Sequence, residues 1–364
     1  MADNSPPQKV VVAMSGGVDS SVTAALLVEQ GYDVVGLMLR LWAEPGGAAN
    51  RCCTPDAVVD ARRVADTLGI PFYVRDYKDV FKKTVVDFFI DGYAQGITPN
   101  PCVVCNRDIR FDRLLNEALN LGADYMATGH YARIQPGPDG LYRLLKGVDP
   151  GKDQSYVLYT MTQARLARIL LPLGGYSKNE IRQMAEAKKL PVFNRPDSQD
   201  LCFLGNGDYR AFLQRHASEV ARPGPIKNTA GDILGEHQGL AFYTIGQRKG
   251  LGLSTPQPMY VIRLEPGSQS LIVGPKEELG QSELIAREVT YISGQPPGGE
   301  ITITAKIRYK AREVEARLSP RSNTRAHLTL TTPLRDITPG QAVVFFQGEQ
   351  VLGGGIIEQA LGTE

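Results

Sequence analysis

The chain has 364 residues, of which 42% are hydrophobic and 22% are charged, a composition typical of soluble globular proteins with about two or three domains. The 40 basic and 39 acidic residues leave a net charge of +1, so any surface for nucleic acid has to be local. No apolar run approaches the roughly 18–20 residues of a membrane span, and the polar N-terminus lacks the features of a secretory signal. We therefore predict a cytoplasmic protein without a membrane partner.

The first apolar segment predicts a strand, a glycine turn and a helix suited to hold phosphate. Residues 10–14 form a short β-rich stretch, and the helical spacing of apolar residues after Val18 ends at Gly31. Between these elements, Gly16 and Gly17 let the backbone approach an anion closely. The unpaired N–H groups at the start of the helix favour negative charge. The loop is not a Walker A motif, because no G-x-x-x-x-G-K-[ST] string is present.

Asp19 places an acidic side chain inside this loop. Beside phosphates, we expect its carboxylate either to bind an intervening Mg²⁺ ion or to accept hydrogen bonds from loop amides. The string SGGVDSS resembles the PP-loop of the ATP pyrophosphatase superfamily, whose members adenylate a substrate oxygen and release pyrophosphate. An ordinary strand-to-helix turn is the alternative interpretation.

Strands and helices alternate over the first two hundred residues. Thr54 is predicted to cap a helix that stops at Gly69, and Ser177 with Glu180 forms a capping box before another helix. This alternation predicts an α/β fold with a doubly wound parallel sheet and ligands at the carboxyl ends of its strands. Gly129 lies at one such end, where the lack of a side chain would let a nucleotide approach.

Composition changes in the second half of the chain. A glycine-rich and turn-rich stretch follows Gly205, and strand-like alternation with a predicted hairpin at QAVVFFQGEQVLGGGII follows Gly280. We therefore predict three domains: a PP-loop ATP-binding domain over residues 1–205, a small central domain over 206–275, and a C-terminal β-barrel over 276–364.

The five cysteines are an odd number in a long chain, which favours reactive or ligating thiols over a disulfide scaffold. Cys102 and Cys105 form a C-x-x-C, and we predict that Cys105 begins a helix whose dipole favours its thiolate. This motif alone fits a zinc knuckle, a redox pair, half of an iron–sulfur site or chance. Cys202 follows almost a hundred residues later. It is interpreted either as a reactive thiol or as a buried structural thiol. Cys52 and Cys53 are interpreted as structural or incidental.

Further strings follow SGGVDSS in one order along nearly the whole chain: TPNPCVVCN, GADYMATGHY, GKDQSYVLY, LCFLG, GEHQGL, TIGQRKGLG, KIRYKAR and LGGGIIE. Over about residues 9–359 the sequence thus resembles the bacterial tRNA-specific 2-thiouridylases, which replace the 2-oxygen of the wobble uridine with sulfur. The resemblance implies that ATP adenylates this oxygen and that AMP and pyrophosphate leave. It implies ATP contacts by Ala13, Met14, Ser15, Gly16, Gly17, Val18, Asp19, Ser20, Leu39 and Gly129.

The resemblance also implies roles for the thiols. Cys202 would carry a persulfide received from a sulfur-relay protein or a cysteine desulfurase, and Cys105 would attack that persulfide or resolve it as a Cys105–Cys202 disulfide. Some members of the family carry aspartate in place of Cys102, so this residue is not expected to be the essential nucleophile. A [4Fe–4S] cluster held by all three cysteines is the second hypothesis.

The same resemblance implies that a helical insert of the first domain and the C-terminal barrel contact tRNA. The residues implied are Asn100, Pro101, Cys102, Lys152, Asp153, Gln154, Arg308 and Tyr309. The alternation over residues 301–312 predicts Lys306, Arg308, Lys310 and Arg312 on one strand face, either as a phosphate-binding stripe or as a solvated edge. His130 is either a site residue or a structural imidazole. Another PP-loop synthetase, and a non-catalytic RNA-binding or iron–sulfur protein, are the competing function classes.

Overall fold

A computed structural model describes residues 6–42, 44, 54–196, 201–204 and 208–361. Cys52, Cys53 and the predicted domain boundary after residue 205 lie outside the described residues. The N-terminal part alternates strands and helices as predicted. Its elements are β1 (Lys9–Ala13), α1 (Val18–Glu29), β2 (Asp33–Arg40), α2 (Pro55–Leu68), β3 (Phe72–Asp76), α3 (Lys78–Phe81), α4 (Asp87–Ala94), α5 (Pro101–Val104), α6 (Leu115–Asn120), β4 (Tyr125–Ala127), β5 (Ala132–Pro136), β6 (Tyr142–Lys146), α7 (Gln163–Leu166), β7 (Ile169–Leu170) and α8 (Lys178–Ala187).

The N-terminal sheet is parallel and has the strand order β3-β2-β1-β4-β7. Val10 and Val12 pack with α1, α2 and α8 on one face, while Val11 packs on the other face with the helix that carries Phe111. All three valines are fully buried, as expected for a central strand covered by helices on both sides. The predicted doubly wound α/β domain is confirmed.

The helix that carries the C-x-x-C motif begins earlier than predicted. Asn100 caps α5 by accepting a hydrogen bond from the Val103 N–H at 3.3 Å, and Pro101 occupies the first helical position. A π-helical segment, Cys105–Leu114, then joins α5 to α6, as another (Lys82–Val86) joins α3 to α4. Cys102 therefore lies in the first helical turn and Cys105 in the second, so the dipole argument made for Cys105 is wrong.

The second half of the chain folds into two β-rich domains, in agreement with the predicted fold class. The smaller one is a four-stranded sheet in the order β10-β11-β8-β9, and the larger one is a barrel of β12 to β17 that closes through β12 and β17. The elements are α9 (Tyr209–His216), β8 (Gly224–Lys227), β9 (Ile233–His237), β10 (Tyr260–Glu265), β11 (Ser270–Gly274), β12 (Gln281–Tyr291), β13 (Ile301–Lys306), β14 (Val314–Ser322), β15 (Arg325–Leu334), β16 (Ala342–Gln347) and β17 (Gln350–Leu361).

The predicted basic strand face over residues 306–312 is not formed. β13 ends at Lys306, and residues 307–312 run through bends and turns outside the sheet. Arg308 turns toward Thr338 and Asp336, whereas Lys310 and Arg312 line different cavities. The predicted strand is thus correct up to Lys306, and the chain beyond Lys306 no longer pairs with the sheet. The predicted hairpin is confirmed as β16–β17.

The hairpin β5–β6 joins the N-terminal domain to the barrel, because β6 pairs with β17. Gly174 packs against this hairpin, and its carbonyl accepts a hydrogen bond from the Val148 N–H at 3.0 Å. A Cβ atom on Gly174 would lie 1.9 Å from the carbonyl oxygen of Ala132. In the described part of the chain, no helix has both the length and the apolarity that a bilayer crossing requires.

We predict that Gly174→Ala lowers the free energy of unfolding by about 1–3 kcal/mol, since the added methyl group overpacks a backbone contact. Gly175→Ala is the matched control, because no heavy atom lies within 4 Å of its would-be Cβ. Urea denaturation of both variants checks the prediction. Equal stability of the two variants would contradict the close packing of Gly174 on Ala132.

Candidate nucleotide and thiol site

A cavity of about 430 Å³ opens at the carboxyl ends of β1 and β4. The loop after β1 and the first turn of α1 form one wall, and the segment after β4 forms another. Tyr309 and Lys310 of the C-terminal domain close the cavity from the opposite side. The cavity therefore lies where the topology of a doubly wound sheet places ligands.

The phosphate-loop geometry depends on its glycines and serines. Gly16 has φ +71°, and a Cβ there would lie 2.4 Å from the carbonyl oxygen of Ala57. Gly17 is the N-cap of α1, and Ser20 Oγ accepts a hydrogen bond from the Ser15 N–H at 3.1 Å. The loop is thus held from inside by its own side chains, with the N-terminus of a 12-residue helix directed at the cavity.

Asp19 has partners that the sequence analysis did not foresee. Its Oδ1 accepts hydrogen bonds from Lys178 Nζ at 2.6 Å and from the Tyr131 hydroxyl at 2.7 Å. The side chain of Lys178 is only 10% exposed. A buried lysine, rather than a loop amide, therefore compensates the carboxylate beside the phosphate site. The expectation of a loop-amide partner was wrong.

The other predicted nucleotide residues differ in their placement. Ala13, Ser15, Gly17, Val18, Asp19, Ser20 and Gly129 line the cavity. Met14 is instead buried, with its N–H bonded to the Leu37 carbonyl at 2.9 Å, and Leu39 packs between two apolar clusters. A Cβ on Gly129 would lie 3.0 Å from the carbonyl carbon of Asp19. Gly129 thus permits the close approach of α1.

The lining of the cavity is strongly basic. Five of its side chains are cationic and Asp19 is its one acidic side chain within the described residues; the cations are Arg110, Lys152, Lys178, Arg195 and Lys310. Arg195 also donates to the Gly16 carbonyl at 2.7 Å and to Asp60 at 2.6 Å, so it braces the loop. This excess of positive charge suits a polyanion. Of these five residues, the family resemblance had indicated only Lys152, because the others come from separate elements.

His130 is both a cavity residue and a structural one. Its ring lies 5.5 Å from that of Phe111, and its Nδ1 is 2.7 Å from the Thr128 hydroxyl oxygen. Burial, with a smaller contribution from the Arg110 charge, lowers the pKa of His130 to about 3. The imidazole is therefore neutral at physiological pH and adds no charge to the cavity.

The three thiols have different environments. Cys102 is exposed, Cys202 is half-buried, and Cys105 is 7% exposed inside an apolar cluster against which Cys202 also packs. Protein around the Cys102 sulfur raises the pKa of this thiol to about 11, with a smaller contribution from Cys105 and an opposing one from Arg110. Cys102 is thus a protonated thiol at neutral pH, and Cys105 and Cys202 share one apolar environment.

The arrangement of the cysteines does not fit the cluster hypothesis. Among the described residues, which include Cys102, Cys105 and Cys202, no three His, Cys, Asp or Glu side chains come together as ligands of one metal ion require. A [4Fe–4S] cluster needs its ligands to converge on one site. We therefore derive no step through an iron–sulfur cluster.

The eight residues predicted to contact tRNA differ in their placement. Lys152, Gln154 and Tyr309 line the cavity. Three others make internal contacts, and the remaining two differ in exposure. Asp153 accepts hydrogen bonds from the Gly147 and Ser155 N–H groups, Asn100 caps α5, and Arg308 binds Thr338 and Asp336; Pro101 is buried and Cys102 is exposed.

Three family profiles match the chain. The profile described as "tRNA methyl transferase HUP domain" matches residues 8–206, "tRNA methyl transferase PRC-barrel domain" matches 210–275, and "Aminomethyltransferase beta-barrel domain" matches 281–357.

Curated relatives match over nearly their whole length. A protein of Moorella thermoacetica named tRNA-specific 2-thiouridylase is 52% identical over 96% of this chain and 99% of its own. Proteins of the same name from Magnetococcus marinus and Carboxydothermus hydrogenoformans are 50% and 47% identical, over 96% and 97% of this chain and 99% and 98% of their own.

We predict that Lys178→Met raises the Kd for ATP about tenfold or more, because hydrogen bonds to charged groups typically contribute about 1.5–3 kcal/mol. The Asp19 carboxylate would then stand uncompensated beside the phosphates. Lys188→Met is the matched control, since Lys188 joins the same two helices through Glu29 at their other ends. Isothermal titration measures both variants, and equal affinities would contradict a special role for Lys178.

Proposed function

The chain belongs to the family of tRNA-specific 2-thiouridylases, and we propose from this premise that it thiolates the 2-position of the wobble uridine of tRNA at the expense of ATP. The profile descriptions mention methyl transfer, but methyl transfer needs no phosphate-binding loop. The relatives that match over their whole length are named for thiouridylation. The observation that carries the proposal is the basic cavity between the α1 N-terminus and the C-terminal domain.

The first step is activation of the base. A uridine 2-carbonyl is a poor electrophile, and attack of its oxygen on the α-phosphorus of ATP makes AMP the later leaving group and releases pyrophosphate. The α1 N–H groups and the cations Lys178 and Arg195 supply donors for the phosphates. The target base has to leave its stack in the RNA to enter the cavity.

Mg²⁺ is proposed as the companion of ATP. Mg²⁺ usually binds through one or two carboxylates together with substrate phosphates. Asp19 is the carboxylate at the loop, and its Oδ1 already accepts two hydrogen bonds. Asp19 would therefore be the protein ligand of the ion, and the ATP phosphates would be its main ligands.

The second step is sulfur transfer through the thiols that share the apolar cluster. A persulfide on Cys202, supplied by a sulfur-relay protein or a cysteine desulfurase, attacks C2 of the adenylated uridine and expels AMP. The Cys105 thiolate then attacks the Cys202 sulfur, which releases 2-thiouridine and leaves a Cys105–Cys202 disulfide. A dithiol reductant restores both thiols by two-electron reduction. Alternatively, Cys105 first attacks the Cys202 sulfur of the persulfide, which forms the same disulfide and frees hydrosulfide; this sulfide then adds to C2 and expels AMP.

The environment of the thiols supports this division of roles. Cys105 is buried in the apolar cluster with Val104 and Ile109, and half-buried Cys202 packs against the same cluster, which restricts the access of water to a persulfide there. Cys102 is exposed and does not belong to this cluster. No step requires a third thiol.

We predict that Cys105→Ser and Cys202→Ser each abolish thiolation, while Cys102→Ser keeps appreciable activity. One carrier and one resolving thiol are sufficient for persulfide transfer. Each variant is incubated with ATP, a persulfide donor and unmodified tRNA, and 2-thiouridine is measured by mass spectrometry of the nucleoside digest. A wild-type protein that forms no 2-thiouridine would refute the proposed function.

An anaerobic reconstitution of wild type and Cys102→Ser, followed by iron counting and single-turnover assays, serves as the control. Persulfide transfer predicts activity without bound iron. Strict dependence on iron, together with an inactive Cys102→Ser, would contradict the persulfide route.

The tRNA is proposed to seat at the mouth of the cavity. Lys152, Gln154, Tyr309 and Lys310 come there from two domains, and Tyr309 is exposed with Lys306 Nζ 6.0 Å from its ring centre. Cations contribute phosphate contacts and an exposed ring can stack on a base. The basic residues of the barrel thus act from separate positions around one opening.

Lys310→Ala is expected to weaken tRNA binding and to reduce the slope of log K against log salt by about one, as for the loss of a single phosphate contact. Arg312→Ala is the matched control, because Arg312 is also exposed but lines a different cavity with Pro333 and Leu334. Filter binding at several salt concentrations measures both slopes. The same slope change in both variants would contradict a phosphate contact that is specific to the cavity.

A further inference from the structure

The loop over residues 97–100, which leads into the thiol-bearing helix, is bonded to the C-terminal domain through its backbone. Gln341 Nε2 donates to the carbonyl oxygens of Thr98 at 3.0 Å and of Pro99 at 3.3 Å. The Thr98 N–H donates in return to the Pro339 carbonyl at 3.2 Å. These three hydrogen bonds cross between two domains and end directly before Asn100.

The same loop is packed closely from two sides. Gly340 has φ +90°, and a Cβ there would lie 2.0 Å from Ile97 Cγ2 and 2.9 Å from the Thr98 carbonyl oxygen. On the other side, a Cβ on Gly92 of α4 would lie 2.9 Å from Pro99 Cγ. The loop therefore has little room to shift while the barrel stays in place.

A second link reaches Asn100 itself. The Asn100 side chain lies beside the Tyr156 hydroxyl group, which donates to the Ala342 carbonyl at 2.8 Å. Tyr156 is fully buried, and burial raises the pKa of its phenol, so this donor proton is retained. Because Asn100 also caps α5, the first helical turn with Cys102 depends on contacts made by β16.

The barrel turn over residues 336–341 is itself held in place by Arg308. Its Nη2 donates to Thr338 Oγ1 at 2.5 Å and to the Ile245 carbonyl of the central domain at 3.2 Å. Its Nη1 lies 3.3 Å from Asp336 Oδ2. Arg308 thus joins the central domain to the turn, and the turn holds the loop before the thiols.

We propose that this turn positions the thiol-bearing helix and that Gln341 is a positioning residue for sulfur transfer, an inference that rests on the proposed function of the thiols. The barrel that flanks the cavity with Tyr309 and Lys310 also sets the start of the helix with Cys102 and Cys105. The barrel would therefore position both the bound base and the thiol-bearing helix.

The test replaces Gln341 by methionine, which keeps the length of the side chain and removes both donated hydrogen bonds. Native-state hydrogen exchange of peptides covering residues 97–104 should accelerate about thirtyfold, as expected for the loss of two bonds of about 1 kcal/mol each. The maximal rate of thiolation should fall at least fivefold, whereas the Kd for ATP should stay unchanged. Gln350→Met, at the opposite end of the β16–β17 hairpin, is the control for both measurements.

Gln341→Glu, which cannot donate to either carbonyl, should give the same pattern and serves if the methionine variant is unstable. Unchanged exchange in residues 97–104 would overturn the proposal, whether or not activity falls. Equal acceleration in Gln350→Met would also overturn it. If wild type forms no 2-thiouridine while Gln341→Met still exchanges faster, the proposed function fails and the positioning contact stands.

Discussion

The ion pair between Lys178 and Asp19 sets the geometry on which the rest of the site depends. An acidic residue in the first turn of α1 would repel phosphates, but Lys178 and Tyr131 bind its Oδ1 from two other elements. The pair connects the first turn of α1 to that of α8, beside a cavity whose remaining charged side chains are basic. A helix N-terminus can thus receive a polyanion although it carries a carboxylate.

The thiols are governed by the opposite constraint, which is exclusion of water. Cys105 belongs to an apolar cluster built from α3, α4, α9 and the central domain, and Cys202 packs against it. Phe203, the neighbour of Cys202, makes edge-on contacts with Phe81 and Phe89. The cavity beside α1 is therefore polar and basic, whereas the surroundings of Cys105 and Cys202 are apolar.

The three domains are joined by specific contacts. β6 extends the barrel by pairing with β17, and Arg308 bonds both the central domain and the 336–341 turn. The turn reaches the loop before Asn100 through Gln341. The barrel, the central domain and the loop before the thiol-bearing helix are consequently joined by specific hydrogen bonds.

Local patterns in the sequence determined the elements and the chemistry of the loop. Glycine spacing, the Thr54 and Ser177 caps and the buried valines of β1 depend on short-range geometry, so they predicted the parallel sheet, its helices and the phosphate loop. Resemblance indicated Lys152, Gln154 and Tyr309, which do meet at the cavity. Only the tertiary structure decided that Lys178 neutralises Asp19, that Arg308 turns inward, and that the thiol helix begins at Pro101. These features depend on groups far apart in the chain, and no local periodicity encodes which distant side chain a charge will meet.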